Sequence, residues 1–153
     1  MGLSVTQQCI FILMLTQGFC SAEIRLDQSP DVEQRPGETV KISCKISGYS
    51  MTSYNIHWIQ QKPGKSLEWI GWMNTADNKA KYAESVKNQL IFTEDVSASS
   101  QYLEAKSLRT EDTSVYYCVR QAGLTTAPYS YFDYWGKGTQ VTVTAAVQSA
   151  PKS

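Results

Sequence analysis

Four cysteines, one histidine and one glycine-flanked lysine are the residues of this 153-residue chain whose chemistry is most distinctive. Cysteines can hold a metal, attack a substrate or pair as disulfides. Metal ligation finds little support, because Cys9, Cys20, Cys44 and Cys118 form no Cys-x-x-Cys pair and His57 is the only imidazole, so a zinc site lacks ligands. His57 is also the only general base of its type. It stands beside Trp58 in an alternating strand-like run, which suits an interface or a loop floor better than a catalytic triad. Gly136-Lys137-Gly138-Thr139 has phosphate-loop composition, but it lacks the preceding glycine and the Gly-Lys-Ser/Thr order, and it leads into a strand rather than a helix. A β-bulge accounts for its glycines. No enzyme, cofactor or metal is expected.

Charge narrows the classes further. With 14 basic and 14 acidic side chains the net charge is zero, which leaves no footprint for nucleic acid or an anionic membrane. The charges are unevenly placed, since residues 1–22 carry none of the 28. That segment contains the apolar run Cys9-Ile10-Phe11-Ile12-Leu13-Met14-Leu15 and ends in the small residues Cys20-Ser21-Ala22, the pattern of a secretory signal peptide (1–22) cleaved after Ala22, although no Lys or Arg follows Met1. The run falls well short of the ~20 apolar residues that span a bilayer. Removing the leader takes Cys9 and Cys20 with it and leaves Cys44 and Cys118 in an oxidising compartment. One disulfide is the economical expectation. It closes a 75-residue loop, for which the chain-entropy model gives an upper figure of roughly 4 to 5 kcal/mol.

From Glu23 onward, short runs rich in Val, Ile, Thr and Tyr alternate with turn residues at roughly 8 to 12 residue spacing, the signature of an all-β sandwich or barrel. Val40-Lys41-Ile42-Ser43-Cys44-Lys45-Ile46 alternates strictly and turns Cys44 inward. Ser114-Val115-Tyr116-Tyr117-Cys118-Val119 does the same for Tyr116 and Cys118. Pro36-Gly37 and Pro63-Gly64 have the chemistry of type II turns, with proline presetting φ and glycine accepting a positive one. Trp58 lies fourteen residues beyond Cys44. A tryptophan packed on an inter-sheet disulfide, and a tyrosine two residues before the second cysteine, are hallmarks of the immunoglobulin sandwich.

Three longer segments extend that match. Trp58-Ile59-Gln60-Gln61-Lys62-Pro63-Gly64-Lys65-Ser66-Leu67-Glu68-Trp69-Ile70-Gly71, Leu108-Arg109-Thr110-Glu111-Asp112-Thr113-Ser114-Val115-Tyr116-Tyr117-Cys118 and Trp135-Gly136-Lys137-Gly138-Thr139 occur in the order of an antibody heavy-chain variable domain, which residues 23–144 resemble. Trp135 and Leu67-Glu68-Trp69 are heavy-chain-like rather than light-chain-like. The resemblance implies an all-β, two-sheet antiparallel Greek-key sandwich of nine strands with one inter-sheet disulfide, Cys44 to Cys118, and with Trp58 and Tyr116 in its core. Residues 145–153 resemble the first residues of a constant domain and are expected to be a disordered tail.

Function, on this resemblance, is antigen recognition in humoral immunity by a secreted or B-cell-surface immunoglobulin. Three loops at one end of the sandwich would bind antigen: Gly48–Asn55, Trp72–Lys81 and Gln121–Tyr134. They hold five of the nine tyrosines, and tyrosine offers amphipathic contact area with few rotamers to freeze. The expected contacts are Ser53, Tyr54, Asn55, Trp72, Asn74, Thr75, Asp77, Asn78, Leu124, Thr125, Thr126, Tyr129 and Tyr131, with Tyr49 and Phe132 as half-buried supports. Arg120 and Asp133 are expected to pair across the base of the third loop, contributing at most about 1 kcal/mol if exposed. A second, apolar face comprising Ile59, Gln61, Leu67, Trp69, Tyr117 and Trp135 implies a light-chain variable domain as partner. A cell-surface adhesion receptor with a fixed ligand is the alternative.

Two departures from the family pattern carry their own expectations. Gln60 and Gln89 stand where arginines usually neighbour the acid at Asp112, so neutral hydrogen bonds are expected there. Gln101 falls on the inward face with Leu103 and Ala105, and if buried it needs a partner, since an unpaired amide costs about 1–3 kcal/mol.

Overall fold

Alternation along the chain becomes two sheets packed face to face. The computed structural model describes residues 22–75, 77–123 and 131–145. Its strands are β1 (Arg25–Gln28), β2 (Val32–Gln34), β3 (Val40–Ser47), β4 (Ile56–Gln61), β5 (Glu68–Asn74), β6 (Lys79–Tyr82), β7 (Leu90–Asp95), β8 (Ser100–Ala105), β9 (Ser114–Gln121), β10 (Phe132–Trp135) and β11 (Thr139–Val143). One sheet runs β1-β3-β8-β7; the other runs β2-β11-β9-β4-β5-β6, with β10 also paired to β9. All pairings are antiparallel except β2 with β11.

Eleven strands appear where nine were expected, and two local breaks account for the difference. Between β1 and β2, Pro30 has no N–H to give a ladder, and the chain passes from one sheet to the other. Between β10 and β11 lies Gly136-Lys137-Gly138. A Cβ at Gly138, whose φ is +91°, would crowd the Tyr117 and Val115 side chains. One at Gly136 would collide with the Gln28 amide. The segment is therefore a break between strands rather than a bulge within one.

The core lies between the sheets. Val40, Ile42, Cys44 and Ile46 of β3 are buried while Lys41 and Lys45 are exposed. Across the gap, Trp58 is fully buried and in register with Cys118, which is disulfide-bonded to Cys44. Phe92 stacks with both Trp58 and Tyr82. Tyr116 is buried, its hydroxyl accepting a hydrogen bond from Gln60 Nε2 at 3.2 Å. Both Pro-Gly segments close as type II turns, with Glu38 N donating to Arg35 O and Lys65 N to Lys62 O and with positive φ at Gly37 and Gly64.

Gln28 joins the two sheets by a polar route. Its Nε2 donates to Tyr116 O at 2.8 Å and lies 3.2 Å from Thr139 Oγ1, while its Oε1 accepts from Cys118 N at 3.2 Å and Gly138 N at 3.1 Å. A buried amide that fills both its donor and acceptor capacity specifies geometry without a desolvation cost.

Gln101 is the opposite case. It is buried, directly opposite Cys44 on one side and Glu94 on the other, and neither amide atom has a hydrogen-bond partner. The partner expected for it is not present among the described residues. At Asp112 the expectation holds in part. Its Oδ2 accepts from Gln89 Nε2 at 2.9 Å and from the Arg109 backbone N at 2.8 Å, but it also keeps an ion pair, 3.5 Å from Arg109 Nε. Gln60 turns instead to Ser114 Oγ at 3.0 Å.

Candidate functional site

The loop end of the sandwich is assembled by hydrogen bonds between loops. In the first loop a short 3-10 turn over Met51–Ser53 buries Met51 as an anchor. Thr75, in the second loop, donates its hydroxyl to Met51 O at 2.6 Å and lies 3.1 Å from Tyr54 O, tying the two loops together. The second loop is a hairpin tip in which Asn74 and Asp77 exchange hydrogen bonds of 3.3 and 3.4 Å. Asn78 takes the left-handed conformation there, at φ 53°, one that asparagine tolerates better than most residues. The third loop is fastened to the first by Gln121 N donating to Asn55 O at 3.0 Å, and it closes on itself by Ala122 N donating to Tyr131 O at 2.6 Å.

Arg120 organises this base. Its Nε and Nη2 donate to the two carboxylate oxygens of Asp133 at 3.0 and 2.6 Å, a paired geometry that only a planar guanidinium gives. The same guanidinium lies over the rings of Tyr54, Tyr49 and Tyr134, 4.0, 4.6 and 4.7 Å from their centroids. Tyr49 and Tyr54 meet edge to face. An exposed pair would contribute at most about 1 kcal/mol, but Arg120 is buried, so its electrostatics act in a poorly hydrated setting. Its hydrogen bonds to Asp133 raise the Arg120 pKa further, and burial pushes the Tyr49 hydroxyl well above the ordinary tyrosine value.

The expected contact residues divide by position. Tyr131, Asp77 and Asn78 are exposed; Ser53, Tyr54, Trp72 and Asn74 are half-buried. Asn55 and Thr75 are buried; Thr75 ties the loops through its hydroxyl and Asn55 through its backbone carbonyl, while Asn55 Oδ1 has no hydrogen-bond partner among the described residues. Tyr49 and Phe132 are half-buried. Leu124, Thr125, Thr126 and Tyr129 lie outside the described residues, as do residues 1–21 of the expected leader and 146–153 of the tail.

Outside the loop end, Leu67, Trp69 and Trp135 expose 50%, 37% and 45% of their surface. Tyr117 meets Trp135 edge to face, and Trp135 meets Phe132 in the same way. Gln61 is half-buried. Ile59 differs from expectation. It is only 4% exposed, because its register partners on the two neighbouring strands are Trp69 and Tyr117, and side chains directly opposite share a face. It supports the apolar face from beneath.

His57, read from the sequence as belonging to an interface or a loop floor, stands where the two regions meet. Its Nδ1 accepts a hydrogen bond from Trp69 Nε1 at 2.9 Å, and its Nε2 is 2.7 Å from Gln121 Oε1. Trp69, Trp72 and Phe132 surround the ring at 6.3, 6.2 and 5.0 Å between centroids. Burial holds its pKa below the usual histidine value, opposed in part by the Gln121 bond. Alternation did place His57 on the outer face; its bonding partners come from β5 and β9, which no local pattern reveals.

Among the described residues no group of three His, Cys, Asp or Glu could hold a metal ion. A groove of about 560 Å³ is open to the surface and lined by Pro30, Asp31, Val115, Tyr117, Lys137, Gly138 and Gln140. It contains no nucleophile and base within bonding distance of each other.

Residues 27–144 match the family model of the immunoglobulin V-set domain. The chain is also similar to the Ig heavy chain V region XIG14 of Xenopus laevis, at 39% identity over 135 residues, which cover 88% of this chain and 96% of that protein. With the two-sheet sandwich, its disulfide and its tryptophan, these matches show that the chain belongs to the immunoglobulin V-set family, as a heavy-chain variable domain.

Proposed function

We propose that this domain binds antigen through the loop end described above and pairs with a light-chain variable domain through the face formed by Leu67, Trp69, Tyr117, Trp135 and Gln61. The exposed cluster of Leu67, Trp69 and Trp135 carries the reading. Large apolar side chains gathered on one face of a soluble domain mark an interaction surface, and aromatic anchors within a polar surround are what dominate protein interfaces. The paratope would be built from Ser53, Tyr54, Trp72, Asn74, Asp77, Asn78 and Tyr131 together with Leu124, Thr125, Thr126 and Tyr129. Half-buried Tyr54 and exposed Tyr131 beside small polar residues suit such a surface.

Residues 1–22 serve in this proposal as a secretion leader, so the domain works outside the cell, free or at the B-cell surface. Recognition requires no catalysis, and none is proposed.

Co-expression with an immunoglobulin light-chain variable domain tests the pairing. A 1:1 complex in sedimentation, lost in Leu67→Arg with the heavy domain still folded, is the expected result. A monomeric heavy domain in the presence of excess light chain, at concentrations where other pairs associate, would count against it. Sequencing transcripts from one individual tests antigen recognition separately: wide variation confined to Gln121–Tyr134 is expected, whereas an invariant loop would point to a fixed ligand.

A further inference from the structure

Trp69 belongs to the apolar face and Gln121 to the base of the third loop, and one side chain bonds to both. An indole N–H can only donate, so Trp69 Nε1 at 2.9 Å requires His57 Nδ1 to be the unprotonated acceptor. In the neutral ring the proton then resides on Nε2, which donates to Gln121 Oε1 at 2.7 Å. Both ring nitrogens are committed, each in a single role.

Protonation destroys this arrangement on one side only. An imidazolium carries N–H on both nitrogens, so Nδ1 would direct a hydrogen at the indole N–H, donor against donor, while the bond to Gln121 would persist. The surroundings offer no compensation. Facing the ring are Trp69 and Trp72 of β5, Gln121 of β9 together with Val119, which is in register with His57, and Phe132 of β10. The charged groups of β9 and β10, Arg120 and Asp133, are bonded to each other, and Glu68 of β5 lies in register with Gln60 rather than with His57. Tyr117 and Tyr134 are in register with Ile59 and Arg120. No carboxylate among the described residues pairs with the ring to stabilise a cation.

We propose that His57 is a positioning residue that locks Trp69 of the pairing face to the base of the third loop, and that protonation of its ring unlocks Trp69, so that acid weakens light-chain pairing. This rests on the pairing reading above. Docking of a partner over Trp69 removes more water from the joint and favours the neutral ring further, which links proton uptake to dissociation. The pH range follows histidine's own: the lock is closed at neutral pH and opens below the ordinary histidine value of about 6.5.

Two measurements on the full chain test this. The first needs no partner: NMR titration should show the Trp69 indole N–H resonance shifting with the same midpoint as the His57 ring. The second is affinity for a light-chain variable domain recovered from the same cell, at about pH 7.5 and about pH 5. Wild type should weaken about fivefold or more on acidification. His57→Gln keeps an amide oxygen to accept from Trp69 and an amide N–H to donate to Gln121 but has no proton to gain. It should pair within about threefold of wild type at neutral pH and vary less than about twofold across the range. If His57→Gln fails to fold, Trp69→Phe removes the indole donor and should likewise flatten the profile. A wild-type pH profile in the folded variant, or an indole resonance that ignores the His57 titration, would overturn the proposal. Absence of pairing at every pH would overturn the pairing reading, and the proposal with it, even if the indole still tracked His57.

Discussion

Arg120 and Asp133 are joined by two parallel hydrogen bonds across the base of the third loop, with the Arg120 side chain only 7% exposed. Three tyrosine rings pack on the guanidinium, so the arginine is dehydrated and depends on Asp133 for its charge balance. Asp133→Ala leaves that charge buried without its partner. We expect a loss of about 2–3 kcal/mol by urea unfolding, more than an exposed pair would give, and faster hydrogen exchange at the Ala122 amide, which bonds Tyr131 O. Equal stability of Asp133→Ala and wild type would show the pair to be decorative.

Gln101→Leu should stabilise the domain. The native amide sits opposite Cys44 with both polar atoms unpaired, and leucine replaces it with an apolar group of similar volume on the face already formed by Leu103 and Ala105. A gain of about 1–3 kcal/mol is expected from the removed desolvation penalty. Urea midpoints that fall instead would mean the amide has a function its surroundings do not reveal.

Glu94 gives a pH signature. Its carboxyl faces Gln101 across the β7–β8 ladder, with Oε2 buried and without a partner, and burial raises its pKa above the usual glutamate value. A raised carboxyl pKa means the folded state holds its proton to higher pH than the unfolded chain does. Stability from this group is therefore present at low pH and is lost as pH rises through the folded value. Glu94→Gln should be more stable than wild type at pH 7, with the difference shrinking toward about pH 4. A difference that stayed constant with pH would exclude titration as its source.

Replacing both Cys44 and Cys118 by alanine opens the loop between them, whose ends are 74 residues apart in sequence. The chain-entropy figure of roughly 4 to 5 kcal/mol is a large share of the stability of a single domain. Loss of the cooperative thermal transition, or a drop in the urea midpoint of corresponding size, is the expected outcome.

Much of this was legible in the sequence wherever one face of a strand meets the core. In β3, strict alternation identified the buried set Val40, Ile42, Cys44 and Ile46. In β9 the same reasoning found Tyr116 and Cys118, but Val119 and Gln121, on the opposite face, are buried as well. Alternation describes one covered face; here β10 and the aromatic rings cover the other, and that depends on partners far along the chain. Ile59 escaped for the same reason. The split of two expected strands needed knowledge of which sheet each half joins, and the glycines at 136 and 138 read from the sequence as a bulge rather than a break. Gln101 was assigned inward correctly, while its lack of a partner depends on every neighbour's side chain at once. The double engagement of His57 required three strands to be in register.

The parallel pairing of β2 with β11 carries a mechanical meaning. The chain runs from the third loop through β10 and then along β11 to the opposite end of the sandwich. Tension between a ligand held at the loops and the far end of β11 would run along that strand's axis. The bonds that fasten β11 to β9 and β2 lie across that axis, so the pull loads them together in shear rather than peeling them open one after another. A pull along β11 is therefore met by all of these bonds at once.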